Sequence, residues 1–107
     1  MEAKAFDTFC SIGPWVVTPD EISDLSAIRI STVVNGSVIA SNQVSAMMRD
    51  PCWQVSYFSS GMTLEAGSII ATGTPGAGVI EAVDQAEAIV EGVGRLCNGV
   101  LAAPIAG

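Results

Sequence analysis

Histidine is absent from these 107 residues, and that single fact narrows the chemistry available to them. Without an imidazole there is no Ser-His-Asp or Cys-His nucleophile, no His-ligated zinc and no side chain that titrates near neutrality unaided. Any reaction must rest on carboxylates, hydroxyls, backbone amides and the single lysine, Lys4. Cys10, Cys52 and Cys97 are odd in number and form no CxxC pair. They read as buried, reduced thiols of a cytosolic protein, not as a zinc or redox site. Taken alone, Lys4 reads as a solvated side chain, Asp7 as a carboxylate holding loop backbone, and Thr74-Pro75 as a turn after a strand.

The elements that would position these groups are short and mostly extended. Leu25, Ala27, Ile28, Ile30, Val33 and Val34 make a β-forming run, followed by Asn35-Gly36 and then Val38 and Ile39. An Asn-Gly pair between two such runs predicts a hairpin, because a type I′ turn needs positive φ at both positions. Asp50-Pro51 predicts a helix start, with Asp50 as cap, Pro51 in the first turn and Gly61 as terminator. Trp53 and Tyr57 would share one helix face, beside a face of Cys52, Val55 and Ser59. Ser68 to Thr72 has the length of a strand, and Gly73 to Gly78 interrupts it. Gln85 to Val90 and Val93 to Leu101 suggest a second hairpin. Residues 1–24 read as an ordered loop with one brief strand at Trp15-Val16-Val17, and the tail from Ala102 as frayed. Trp15 and Trp53 read as core or interface anchors.

Half the residues are apolar and only 14% are charged, low for a small domain with a large surface for its volume. That composition predicts a homo-oligomer, a dimer in the first instance. The net charge of −7 repels phosphate backbones and anionic lipid, so neither nucleic acid nor membrane is an expected partner. No apolar run approaches the roughly 20 residues that cross a bilayer. Met1 to Lys4 has no apolar secretory core, so the expected location is the cytoplasm.

Three segments are unusually specific for loops. They are Lys4-Ala5-Phe6-Asp7-Thr8-Phe9-Cys10-Ser11-Ile12-Gly13-Pro14-Trp15, Gly61-Met62-Thr63-Leu64-Glu65-Ala66-Gly67-Ser68-Ile69-Ile70-Ala71-Thr72-Gly73-Thr74-Pro75, and Glu91-Gly92-Val93-Gly94-Arg95-Leu96-Cys97-Asn98. In order and spacing they resemble the signature blocks of the fumarylacetoacetate hydrolase superfamily. Those blocks run K-x-F-D-T-F-C-P-I-G-P-W, a V-N-G turn, G-M-T-L-E-P-G-D-I-I-x-T-G-T-P and E-G-I-G-x-L-x-N. The resemblance covers Lys4 to Asn98, to the C-terminal half of that family's catalytic domain. It implies a mainly β fold, a β-rich α+β arrangement forming part of a mixed β-roll with one short helix, in one truncated domain over residues 1–107. It also implies metal-dependent hydrolysis, decarboxylation or isomerisation at carbon–carbon bonds of keto acids, with Mg²⁺ or Mn²⁺ polarising the substrate oxygens.

By the same resemblance Lys4 matches the active-site lysine. Gly73 and Thr74 match the turn that meets the substrate carboxylate, and Thr8 matches a residue near a second cation in some members. Ser11, Ala66 and Ser68 depart from the blocks, and Ser41 to Met48 follows the family's N-T-S-x-M-I-F stretch only loosely. The family's metal-binding Glu-x-Glu pair and later Asp lie upstream of the first block, where this chain has only Met1, Glu2 and Ala3. The expectation is therefore a domain without the primary metal site and with no cofactor of its own, inactive alone. A non-catalytic oligomeric binding module and one half of a two-chain enzyme are the alternatives.

Overall fold

A computed structural model of the chain describes residues 7–102. Lys4 and the tail from residue 103 lie outside the described residues. Arg29–Val34 forms β1 and Ser37–Gln43 forms β2. Between them Asn35 and Gly36 adopt φ of 51° and 82°, the left-handed pair that a type I′ turn demands. The two strands pair antiparallel, with Thr32 opposite Ala40 and Val33 opposite Val38, so Ile39 is an extra residue bulged out of the ladder. Gln85–Val90 forms β3 and Gly94–Gly99 forms β4, the second hairpin that the sequence suggests. β1 also pairs antiparallel with β3, which gives one sheet in the order β2-β1-β3-β4.

A side-chain clasp joins the two hairpins. Asn35 Nδ2 donates to Asp84 Oδ1 at 2.8 Å, and the amide of Gln85 donates back to Asn35 Oδ1 at 2.8 Å. The other carboxylate oxygen of Asp84 accepts from the amide of Glu81 at 2.8 Å. These bonds, the Glu81 amide first and Asn35 second, hold the Asp84 carboxyl below the usual carboxylate range.

The alternation of β-strand side chains gives the sheet two unlike faces. One carries Ile30, Thr32, Val34, Ala88, Val90 and Leu96. The other carries Ser31, Val33, Glu87, Ile89, Arg95 and Cys97. On the second face Glu87 is buried and its carboxylate is ion-paired with Arg95. The hydrogen bond from Arg95, ahead of its charge, holds the Glu87 carboxyl below the usual range and raises the guanidinium in turn.

Pro51–Gly61 forms α1. It starts where Asp50 and Pro51 predict, with the Trp53 amide donating to Asp50 Oδ1 at 2.6 Å. It stops without a left-handed glycine, because Gly61 is its last helical residue and Met62 swings into extended backbone. Single turns of 3₁₀ helix lie at Pro19–Glu21, Leu25–Ala27 and Val44–Ala46. The architecture is mainly β with one short helix, as expected.

Several local expectations fail. Ser68 to Thr72 and Trp15 to Val17 are not strands. β-forming side chains favour extended backbone, but a ladder also needs a neighbour for its N–H and C=O groups, and no described strand pairs with either segment. The three cysteines are free and exposed instead of buried. Trp15 and Trp53 are likewise 59% and 41% exposed, so neither is a core anchor. The common cause is a thin core: among the described residues only Ile28, Val33 and Val44 are buried apolar side chains. The accessible surface is 8438 Å² for a 10.9 kDa chain, where the scaling for folded monomers gives about 5,600 Å². No helix among the described residues is long and apolar enough to cross a membrane.

Candidate functional site

A cleft of about 580 Å³ opens between the end of β2, α1 and the turn at Thr72 to Pro75, within the usual size range of small-molecule sites. Three local features build it. Asn42 and Ile30 bring in the apolar face of the sheet, and Val44 follows from the 3₁₀ turn after β2. The Asp50 cap fixes the start of α1, which places Trp53 and Tyr57 one turn apart on the same side. Their rings stack at 5.0 Å and 11°, and the Arg49 guanidinium sits 4.6 Å from the Trp53 ring centre, within cation–π range.

The third wall is the Thr72 to Pro75 turn. Gly73 takes φ of 100° there, a conformation that side chains other than glycine rarely adopt. The Thr74 hydroxyl donates to the carbonyl of Gly76 at 2.8 Å and accepts from the Gly76 amide at 3.4 Å. A β-carbon on Gly76 would stand 2.9 Å from Ala40 Cβ, so this glycine lets the turn lie directly against β2. The turn is thus held by its own hydroxyl on one side and by the sheet on the other. A ligand carboxylate at Thr74 would have to compete with Gly76 for the hydroxyl proton.

The first and third signature segments meet elsewhere. Trp15 Nε1–H donates to the carbonyl of Val93, and Ser11 Oγ donates to Asn98 Oδ1 at 3.0 Å. Trp15 lines a smaller cavity with Ala88, Val90 and Leu96 on the apolar face of the sheet. Gly94 underlies the indole so closely that a β-carbon would be 2.9 Å from Trp15 Cζ2.

Gly73 and Thr74 both line this cleft. Thr8 sits in an exposed turn at φ of 66° and does not line it. Lys4 lies outside the described residues. Sequence reasoning missed Arg49 as a cleft residue, and no local signal marks it, because it precedes the Asp50 cap and lies outside the helical repeat.

The described residues do not fit a divalent cation. Mg²⁺ and Mn²⁺ take several convergent oxygens. No carboxylate lines the cleft, and no group of three His, Cys, Asp or Glu among the described residues could hold a metal ion.

Residues 1–101 match the sequence model of the fumarylacetoacetate (FAA) hydrolase C-terminal region. A 4-hydroxyphenylacetate degradation bifunctional isomerase/decarboxylase of Salmonella dublin is 35% identical over 103 residues, covering 94% of this chain and 24% of that protein. The structure superposes on a 5-carboxymethyl-2-hydroxymuconate delta-isomerase from Mycobacterium smegmatis with a TM-score of 0.87 and 43% identity, over 94% of this chain and 40% of the other. A maleylpyruvate hydrolase from Sphingobium, in complex with manganese(II) and pyruvate, matches with a TM-score of 0.86 and 33% identity, over 91% and 37%. Four other relatives are spanned over only 38% to 44% of their length. Signature blocks, sheet topology and overall superposition agree: the chain belongs to the fumarylacetoacetate hydrolase family and corresponds to its C-terminal region.

Proposed function

We propose that these residues form the substrate-binding wall of a metal-dependent keto-acid site. The reaction class is hydrolysis, decarboxylation or isomerisation, with the Thr72 to Pro75 turn receiving the substrate carboxylate and Lys4 acting beside it. The observation that carries the reading is the placement of Gly73 and Thr74 on a cleft of ligand size. The pyruvate and manganese(II) held by the maleylpyruvate hydrolase relative support it. When bound, the divalent ion supplies polarisation of the keto-acid oxygens. Its carboxylate ligands come from residues outside the cleft described here, so the 107-residue chain alone does not turn over keto acids.

In the same reading the described strands are part of a roll completed by further chain, and the molecule is a homo-oligomer. The apolar side chains left exposed on the described residues support burial against further polypeptide. Three free thiols suit the reducing cytoplasm.

The test is a purified chain assayed for Mg²⁺- or Mn²⁺-stimulated oxaloacetate decarboxylation and acylpyruvate hydrolysis, alongside pyruvate binding by NMR. The expected result is no turnover, with pyruvate perturbing the amides of Thr72 to Thr74 and Thr74→Val abolishing that effect. Turnover by the chain alone overturns the claim of dependence on other residues. Absence of any effect at the turn overturns the substrate-wall assignment. Light scattering that returns a monomer removes the oligomer.

A further inference from the structure

The ladder between β1 and β2 is regular except at Ile39, which bulges out between Val38 and Ala40. On an unbroken strand consecutive side chains point to opposite faces, so residues 39 and 40 would not both face one passing segment. Yet both touch the segment that leaves the Thr74 turn. A β-carbon built on Gly76 falls 2.9 Å from Ala40 Cβ, and one built on Gly78 collides with Ile39 Cδ1. The bulge has re-aimed a side chain, giving β2 two adjacent contacts on residues 76–78. Ala40 pairs with Thr32 and so shares the sheet face of Ile30 and Asn42, which line the cleft.

The contact at Gly76 reaches the site through the Thr74 side chain. The Thr74 hydroxyl donates to the Gly76 carbonyl at 2.8 Å and accepts from the Gly76 amide at 3.4 Å. These bonds tie Thr74 to Gly76, and Gly76 rests on Ala40. Neither Gly76 nor Gly78 has a left-handed φ, so each position asks its residue for room and not for backbone freedom. The two are unequal in that demand. Ala40 Cβ is fixed to the backbone of β2, whereas Ile39 Cδ1 ends a side chain that can change rotamer.

We infer that the bulge at Ile39 is the seat of the substrate turn. Ala40 and Gly76 are positioning residues, and their close contact sets where Thr74 stands in the cleft. The inference rests on the keto-acid reading above insofar as the turn receives a carboxylate.

Gly76→Ala tests it, because the added methyl meets a group with no rotamer to escape into. Among the described residues beyond the chain neighbours, Ala40 Cβ is the only non-hydrogen atom within 4 Å of that methyl. Ala40→Gly in the same chain therefore clears the space. The parent should show a nuclear Overhauser contact between the Gly76 α-protons and the Ala40 methyl, and pyruvate binding is followed at the Thr72 to Thr74 amides. Gly76→Ala should weaken that binding about tenfold, the scale on which overpacking a fitted contact acts. The amides of β3 and β4 should keep their parent shifts. Adding Ala40→Gly to Gly76→Ala should restore the parent affinity to within about twofold. Gly78→Ala should stay within about threefold of the parent, since the Ile39 side chain can turn aside. Parent affinity in Gly76→Ala, a defect that Ala40→Gly leaves unrepaired, or loss of the β3 and β4 shifts overturns the inference. If pyruvate binds at Thr72 to Thr74 equally in every chain, the keto-acid wall stands and the seat falls. If pyruvate does not bind the parent, the keto-acid reading falls and the Overhauser contact alone decides the docking, its absence overturning the inference.

Discussion

Replacing Asp50 with alanine removes the 2.6 Å hydrogen bond from the Trp53 amide and the negative charge at the start of α1. A lost side-chain cap costs about 1 kcal/mol, and the lost charge–dipole interaction adds about 0.3–1 kcal/mol. In most proteins a helix absorbs such a loss through the core beneath it. Here α1 has eleven residues and no buried side chain, and an isolated helix of that length is marginal in water. The loss should therefore fall on the helix itself, shifting its folding equilibrium by roughly ninefold to thirtyfold. Amide hydrogen exchange measured by NMR reads this directly. The amides of Tyr57 and Phe58 should exchange faster in Asp50→Ala by that factor, while those of β1 and β3 keep their parent rates. Asp50→Ser, which retains an accepting oxygen, should recover most of the protection. If helix and sheet amides accelerate together, or neither changes, then α1 is not the independently held element that its burial implies.

Three further outcomes follow from other contacts. Gly94→Ala drives a β-carbon into the Trp15 indole, so near-ultraviolet circular dichroism should show the ring displaced, at a stability cost of about 1–3 kcal/mol. Asn35→Ala deletes both arms of the clasp to Asp84 and Gln85 and leaves a side-chain-bearing residue at positive φ, so urea unfolding should show a loss of about 1–2 kcal/mol. For Glu87 the folded carboxyl titrates below its unfolded value because of Arg95. Its stabilising effect is complete above the unfolded glutamate range and disappears as pH falls through the depressed folded value. The stability difference between the parent and Glu87→Gln should accordingly be present at neutral pH and close in acid, as measured by denaturant titration at each pH.

What could be read in advance depended on whether the deciding interaction was local. Asn35-Gly36 and Asp50-Pro51 announce their structures because the turn and the cap are settled by the residues themselves. Ser68 to Thr72 carries the side chains of a strand, but strand formation is a pairing event, and the described residues offer it no neighbour. The cysteines were assigned to a core, and the tryptophans to a core or an interface, on residue type alone, and the described residues bury too few side chains to make such a core. Gly73 and Thr74, singled out through the signature block, line the cleft. Arg49 was not singled out, because whether it lines the cleft depends on how α1 lies against the turn, a tertiary fact that the stretch from Met47 to Trp53 does not disclose.

The clasp at Asn35 has a consequence for the order of assembly. Each hairpin closes over only a few residues, so β1 with β2, and β3 with β4, can zip independently and early. The seam between β1 and β3 joins positions whose tip contact spans 49 residues, and closing so long a loop must precede any gain from the pairing. Docking of two preformed ribbons is then the slow event, and the Asn35–Asp84 bridge sets the register in which they meet.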